Sequence, residues 1–244
     1  SAPLDETMLD FLPLRDDTVE DAETGYASAG QEGLLVAAPK ESILGTAAAF
    51  TKAGLTITGV DLTALALGRA LAVPPRPGTS AVINIGANTT LVVILTDGAP
   101  QFVRVIPSGG DDITRTLAQL QDLAFAKAEA LKIRLGLYAV QGDQQEIEAE
   151  NAIRENVAAL LGNVQNTIGY YTSKYPGRRI DRVVLSGGGS RLGGLASVLQ
   201  EAQGVPVEYA DPFGAFTFSD RVDQAEMRAI GPELTAVLGL TIGG

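Results

Sequence analysis

The chain has 244 residues, 45% of them hydrophobic, enough for one large domain or two smaller ones with a real core. Its 18 Lys+Arg stand against 29 Asp+Glu, a formal net charge of -11 that no basic run offsets, and such a surface repels nucleic acid and anionic lipid. Cysteine and histidine are both absent, which excludes disulfides, thiolate nucleophiles, Ser-His-Asp and Cys-His catalysis and every Cys or His metal ligand; any metal would sit on oxygen ligands, which favours magnesium.

Residues 1 to 33 are acidic and irregular, with one short apolar segment at Leu9-Asp10-Phe11-Leu12, and Asp16 to Gly33 reads as a loop or hairpin tip. Gly33 to Lys40 predicts a short buried strand ending at Pro39. Ser42 is placed to cap a helix whose apolar positions Ile43, Ala47 and Phe50 recur at helical spacing and which stops at Gly54. Leu55 to Val60 predicts another strand. Asp61 then caps Leu62 to Val73, a helix apolar nearly all round and so buried. Pro74 to Ser80 has linker composition and is the candidate domain boundary.

Three strand patterns follow, Ala81 to Ile85, Thr90 to Leu95 and Gln101 to Ile106, with Asp97-Gly98 as a hairpin turn between the second and third. A helix opens near Asp112 and continues, alanine-rich, through Leu135. Glu146 to Lys174 reads as one long helix with an apolar face that includes Ile153, Val157, Leu160, Leu161, Val164 and Ile168. The stretch RVVLSGGGSRLGGLASVLQEA is strand, glycine turn and helix. VPVEYADPF is a strand running into a proline turn, and a helix near Pro232 to Leu240 closes the chain. Hairpins mixed with strand–helix units define an α/β chain with a mixed sheet. No apolar run reaches membrane-spanning length and no basic n-region followed by an apolar h-region opens the chain; with a start on Ser1 and not Met, a trimmed or engineered piece is expected, a soluble cytoplasmic protein or part of one.

Four motifs could carry chemistry. Gly86-Ala87-Asn88-Thr89-Thr90 joins two strands; it is either an ordinary hairpin or a cradle in which small residues bring backbone N–H groups to a phosphate and the threonine hydroxyls add donors. Gly109 and Gly110 lie between a strand and a capped helix. Glu129 and Lys132, three apart, share a helix face and alone read as a surface ion pair. Gly187-Gly188-Gly189 lies between strand and helix without the spacing of a P-loop or dinucleotide fingerprint, and alone it allows simple close packing.

Their order says more than any one of them. Strand–turn–strand, GG, E-x-x-K on a helix, then strand–GGG–helix resembles the second half of the actin-like (ribonuclease H-like) fold of sugar kinases, heat-shock chaperones and actin. The segments LLVAAPKE, AGLTITGVDLTALALGRAL, NIGANTTLVVILTDGAPQFVRVIPSGGDDIT, AEALK, VVLSGGGSRLGGL and VPVEYADPF resemble the PilM family over nearly the whole chain. These are actin-like cytoplasmic proteins of the type IV pilus platform and relatives of FtsA. The resemblance implies an inserted small subdomain at 1–60, a first-domain helix and linker at 61–79, a second actin-like domain at 80–228 and a closing helix at 229–244. It implies ATP with magnesium as cofactor, Gly86 to Thr90 as the second phosphate hairpin, and Gly109 and Gly110 near the sugar and phosphates. Glu129 and Lys132 would lie on the ribose and adenine side, and Gly187, Gly188 and Gly189 would form the adenosine loop, with Arg191 along the base.

As partners the resemblance implies the cytoplasmic tail of a PilN-like membrane protein, other platform proteins and a homo-oligomer, with no nucleic acid, at the inner face of the cytoplasmic membrane. The family's first phosphate hairpin is missing, so about the first hundred family residues, on the order of one small domain, are expected to lie outside this chain. Asn84 stands where actin-like ATPases usually carry the aspartate that organises magnesium. A carboxamide brings no charge, so little or no hydrolysis is expected. The competing readings are a small-molecule kinase or phosphatase and an FtsA-like filament former on the same fold.

Overall fold

A computed structural model describes residues 3–15, 19–20, 27–28, 32–138 and 142–242. The chain divides into two compact units, 1–62 and 63–244.

In the first unit β1 (Thr7–Arg15) pairs antiparallel with β4 (Glu32–Pro39), running from Thr7↔Pro39 to Arg15↔Glu32 with an irregularity at Pro13/Arg15. Two short strands, β2 (Val19–Glu20) and β3 (Ala27–Ser28), pair between them; the rest of the expected loop lies largely outside the described residues. Helix α1 (Lys40–Lys52) begins two residues before the expected Ser42 cap, with Pro39 at its N-cap. It ends as read: Gly54 takes φ +79°, and the Gly54 and Leu55 amides donate to the Thr51 and Phe50 carbonyls in a Schellman arrangement. Two expectations fail here. No described residue of this unit is buried, so β4 is not a buried strand; Leu35 is 70% exposed. Leu55 to Val60 forms no strand, and among the described residues no strand pairs with it.

The second unit is a five-stranded sheet of order β7-β6-β5-β8-β9. It comprises β5 (Thr79–Ile85), β6 (Thr90–Thr96), β7 (Ala99–Ile106), β8 (Arg182–Ser186) and β9 (Val207–Tyr209). β5, β6 and β7 are antiparallel neighbours, whereas β5–β8 and β8–β9 are parallel. The β6–β7 turn is as read: Asp97 (φ 51°) and Gly98 (φ 84°) both take positive φ, the geometry of a type I′ turn.

Alternation along β5 splits the core in two. Ala81, Ile83 and Ile85 face α3 (Gly110–Leu120), α5 (Gln144–Lys174) and α6 (Leu195–Gln203), meeting Leu117, Ile153, Val157 and Leu199. Val82 faces the other way, with Val93, Leu95 and Val184, onto Ala64 and Leu67 of α2 (Thr63–Leu71). Helix α2 is thus part of this unit, packed on α8 (Gly231–Thr241), and the chain's compact units do not part at the proline-rich segment.

The single alanine-rich helix expected to Leu135 is two, α3 and α4 (Phe125–Leu135). Asp122 takes φ 49°, and the Leu123 amide caps the Ala118 carbonyl. Helix α5 starts at Gln144, with the Asp143 carboxylate accepting from the Glu146 amide at 3.0 Å. Helix α7 (Gln224–Ala229), which periodicity does not reveal in six residues, is capped by Asp223. Among the described residues no helix is long and apolar enough to cross a membrane.

Tyr171 on α5 is fully buried among Phe102 and Tyr175, and its hydroxyl has no hydrogen-bond partner among the described residues. Removing an unpaired buried hydroxyl removes its desolvation cost while keeping the ring. Tyr171→Phe is therefore expected to leave stability unchanged or raise it by up to about 1 kcal/mol, measured by urea unfolding.

Candidate functional site

The β5–β6 turn is closed by the Gly86 amide donating to the Thr89 carbonyl at 2.9 Å. Its carbonyl side is tied to the start of α3. The Gly110 amide donates to the Gly86 carbonyl at 2.9 Å and the Asp111 amide to the Ala87 carbonyl at 2.8 Å. This approach is why residue 109 is glycine: a Cβ there would lie 2.5 Å from the Gly86 and Ala87 carbonyl oxygens. Asp112 accepts from the Gly109 amide at 2.9 Å, and Arg115 bonds Asp112 at 3.0 Å and the Asn88 side-chain oxygen at 2.7 Å. With the carbonyls so engaged, the Ala87, Asn88 and Thr89 amides have no protein acceptor among the described residues. Successive unpartnered amides at one turn suit an anion.

Lys132 on α4 reaches the same place. Its side chain is only 9% exposed, and its ammonium donates to the Gly110 carbonyl at 3.0 Å and Thr114 Oγ1 at 2.9 Å, and pairs with Glu129 at 2.7 Å. Thr114 also donates to Glu129. The pair is a built part of the site, not the exposed surface pair its spacing suggests. Burial raises the Glu129 carboxyl, but hydrogen bonds from Lys132 and Thr114 and the Lys132 charge outweigh that and hold it below its ordinary value of 4.5.

The third element is the glycine turn after β8. Gly187 takes φ +81° and donates to the Pro232 carbonyl at 2.8 Å. A Cβ at Gly189 would lie 2.4 Å from Ile85 Cγ2, so close packing accounts for that glycine; at Gly188 it would meet nothing within 4 Å. Arg191 ends this turn in an ion pair with Glu233 of α8 at 2.5 Å.

Gly86, Ala87, Gly109, Gly110, Glu129, Lys132, Gly188, Gly189 and Arg191 line one cavity of about 460 Å³. Other residues read from the sequence lie outside its lining. Asn84 shares the opposite sheet face with Val82, where its side-chain oxygen accepts from Ser186 Oγ at 3.0 Å. Thr90 is fully buried and donates to the Ser108 carbonyl at 2.9 Å, so its hydroxyl is engaged. Asn88, Thr89 and Gly187 flank the cavity as loop backbone without lining it. Thr114, Glu233 and the apolar wall of Ile113, Ile133, Val157, Leu160 and Leu192 were missed. Thr114, four residues after Gly110, was within reach of helical spacing; Glu233 was not, being 42 residues from Arg191.

The sheet, its flanking helices and this convergence of loops are those of the actin-like ATPase fold. The structure superposes at TM-score 0.82 on a PilM–PilN type IV pilus biogenesis complex, with 27% identity over 98% of this chain and 67% of that one. It also matches MreB 5 of Spiroplasma citri bound to AMPPNP at TM-score 0.57, with 13% identity over 83% of this chain and 63% of that one, a likeness of fold alone. The model of the type IV pilus assembly protein PilM matches residues 2–244, and the chain belongs to that family. The cell division protein FtsA of Bacillus subtilis is 26% identical over 87% of this chain and 53% of its own length, and that of Streptococcus pneumoniae 25% identical over 74% and 43%. The chain spans about half the length of these curated relatives.

Proposed function

We propose that this chain is the nucleotide-holding part of a type IV pilus assembly scaffold that docks the cytoplasmic tail of a PilN-like membrane protein on the inner face of the membrane. The observation that carries it is the Lys132–Glu129 pair, the open Gly188 position and Ala87 lining one cavity, with the other unpartnered turn amides flanking it, within a chain whose fold matches a PilM–PilN complex over 98% of its length. The donors suit an anion and the apolar wall suits a flat base, the two ends of a nucleotide such as ATP.

Chemistry on that nucleotide has little support in the side chains. Glu129 is held by Lys132 and Thr114, Asp112 by Gly109 and Arg115, and Asp111 by Arg115 at 3.4 Å, so each acid near the cavity is engaged. Asn84 carries no charge and is turned to Ser186. The described residues bring together no group of three or more acids that could hold a metal, so magnesium would be held largely by the phosphates it accompanies. This favours a binding scaffold over a kinase or phosphatase. The second reading, a filament former on the same fold, is tested by sedimentation with ATP.

Calorimetry on the full-length protein tests the nucleotide reading. Wild type is expected to bind ATP saturably and to hydrolyse it more slowly than about 1 per second. Gly188→Val is expected to weaken ATP by about tenfold or more while shifting Tm by less than about 2 °C, because its side chain enters open space. No binding by wild type, or unchanged affinity in the variant, overturns the assignment. A labelled PilN-like tail peptide, titrated with and without ATP, tests the docking role in the same protein.

A further inference from the structure

Arg191 and Glu233 come from different elements, the glycine turn after β8 and the first turn of α8, yet both line the cavity and bond each other there. Both are half-exposed, at 49% and 39% of their side-chain surface. Arg191 also lines a second hollow of about 400 Å³ with Tyr209, Asp211, Arg228 and Pro232, so its guanidinium forms part of the partition between the two. Without a partner, a long half-exposed arginine samples many rotamers and presents no fixed plane. A carboxylate opposite it selects one.

Glu233 is itself well placed to do this. The α8 turn that carries it is anchored to the glycine turn by the Gly187 amide, which donates to the Pro232 carbonyl at 2.8 Å, with the Ser186 hydroxyl shared between that carbonyl and Asn84. Thr235 further locks that turn through the Gly231 and Pro232 carbonyls. Glu233 therefore has a rigid base, and Arg191 inherits its orientation from it.

We propose that Glu233 is a positioning residue that fixes the Arg191 guanidinium as one flat wall of the base-binding end of the cavity, which the apolar residues Ile133 and Leu160 also line. The Arg191–Glu233 pair thereby sets the selection for a planar base, while the phosphate end is left to the β5–β6 turn. This rests on the nucleotide reading above and adds the residue that governs which part of the nucleotide is recognised. A planar guanidinium stacks on flat rings where an ammonium cannot, so the effect depends on shape as well as charge.

The test compares two probes, ATP and inorganic tripolyphosphate, titrated into full-length wild type, Glu233→Gln, Arg191→Lys and the Arg191→Lys/Glu233→Gln double variant. ATP affinity is expected to fall about threefold to thirtyfold in each single variant, with tripolyphosphate affinity changed less than twofold. The double variant is expected to be no worse than Arg191→Lys alone, since Glu233 acts through Arg191. Unchanged ATP affinity in Glu233→Gln, or equal losses for both probes, would overturn the assignment while leaving nucleotide binding in place. Failure of wild type to bind ATP would remove the nucleotide reading and this one together. Tm recorded on each variant separates a loss of fold, which would weaken both probes alike, from a loss of orientation.

Discussion

Lys132→Met is expected to lower stability by about 1–3 kcal/mol and to weaken ATP on the order of tenfold. The ammonium is buried and all its partners are inside the protein: the Gly110 carbonyl, Thr114 Oγ1 and Glu129. Methionine fills similar space and leaves those three without their donor. The largest influence on Glu129 is burial, which raises its pKa, and it exceeds the remaining hydrogen bond from Thr114. Without Lys132 the balance reverses, so a carboxyl now held below 4.5 should move above its ordinary value. In wild type a depressed carboxyl contributes stability that is present above the unfolded pKa and lost as pH falls through the folded one. That contribution should disappear below about pH 4.5 and be missing from the variant's profile. Adding Glu129→Gln to Lys132→Met should recover part of the loss, because no unpaired charge remains. Urea unfolding between pH 3 and 7 reads all three. A double variant less stable than the single one would sink the argument.

The second large effect is structural. Gly239 on α8 lies against α2 so closely that a Cβ would sit 1.9 Å from the Ala66 carbonyl oxygen and 2.4 Å from its carbon. Both are backbone atoms of a fully buried residue and cannot swing aside. Arg69 of α2 donates to the Gly239 carbonyl at 3.2 Å, which fixes the crossing further. Gly239→Ala should cost about 1–3 kcal/mol or more despite alanine's better helix propensity. Gly162, within α5, has open space where its Cβ would be, and Gly162→Ala should instead stabilise by about 0.5–1 kcal/mol. The same change on two helices should thus move Tm in opposite directions.

The parts of this protein that were legible in its sequence are those governed by local chemistry. Asp97-Gly98 is a turn because both residues accept positive φ, and the strands on either side follow from their runs of β-branched and other apolar residues. Gly109 was legible because close backbone approach leaves glycine as its trace, with a Cβ there 2.5 Å from two carbonyl oxygens, whereas Gly188 faces open space that no packing explains. What escaped depended on partners far along the chain. Leu55 to Val60 has the composition of a strand but, among the described residues, no strand to pair with. The break at Asp122 hinges on a side chain tolerating positive φ in an alanine-rich stretch. Thr90 reads as a donor beside a cradle, but the Ser108 carbonyl claims its hydroxyl. Asn84 reads as part of the site, but strand alternation turns it to the opposite face.

β5 and β8 run parallel as direct neighbours, paired to Asn84↔Ser186, and each releases its glycine turn within two residues of that pair. The gap between the two turns is therefore close to the interstrand spacing, about 4.8 Å. The backbone ladder therefore fixes how the bases of the two turns sit side by side, while the remaining walls of the cavity are side chains such as Ile113, Ile133, Leu160 and Glu233. Substitutions in those walls can then reshape what is bound without moving the two turns against each other. A one-residue insertion in β5 or β8 would displace one turn against the other by about 3.3 Å and turn the following side chains to the wrong face.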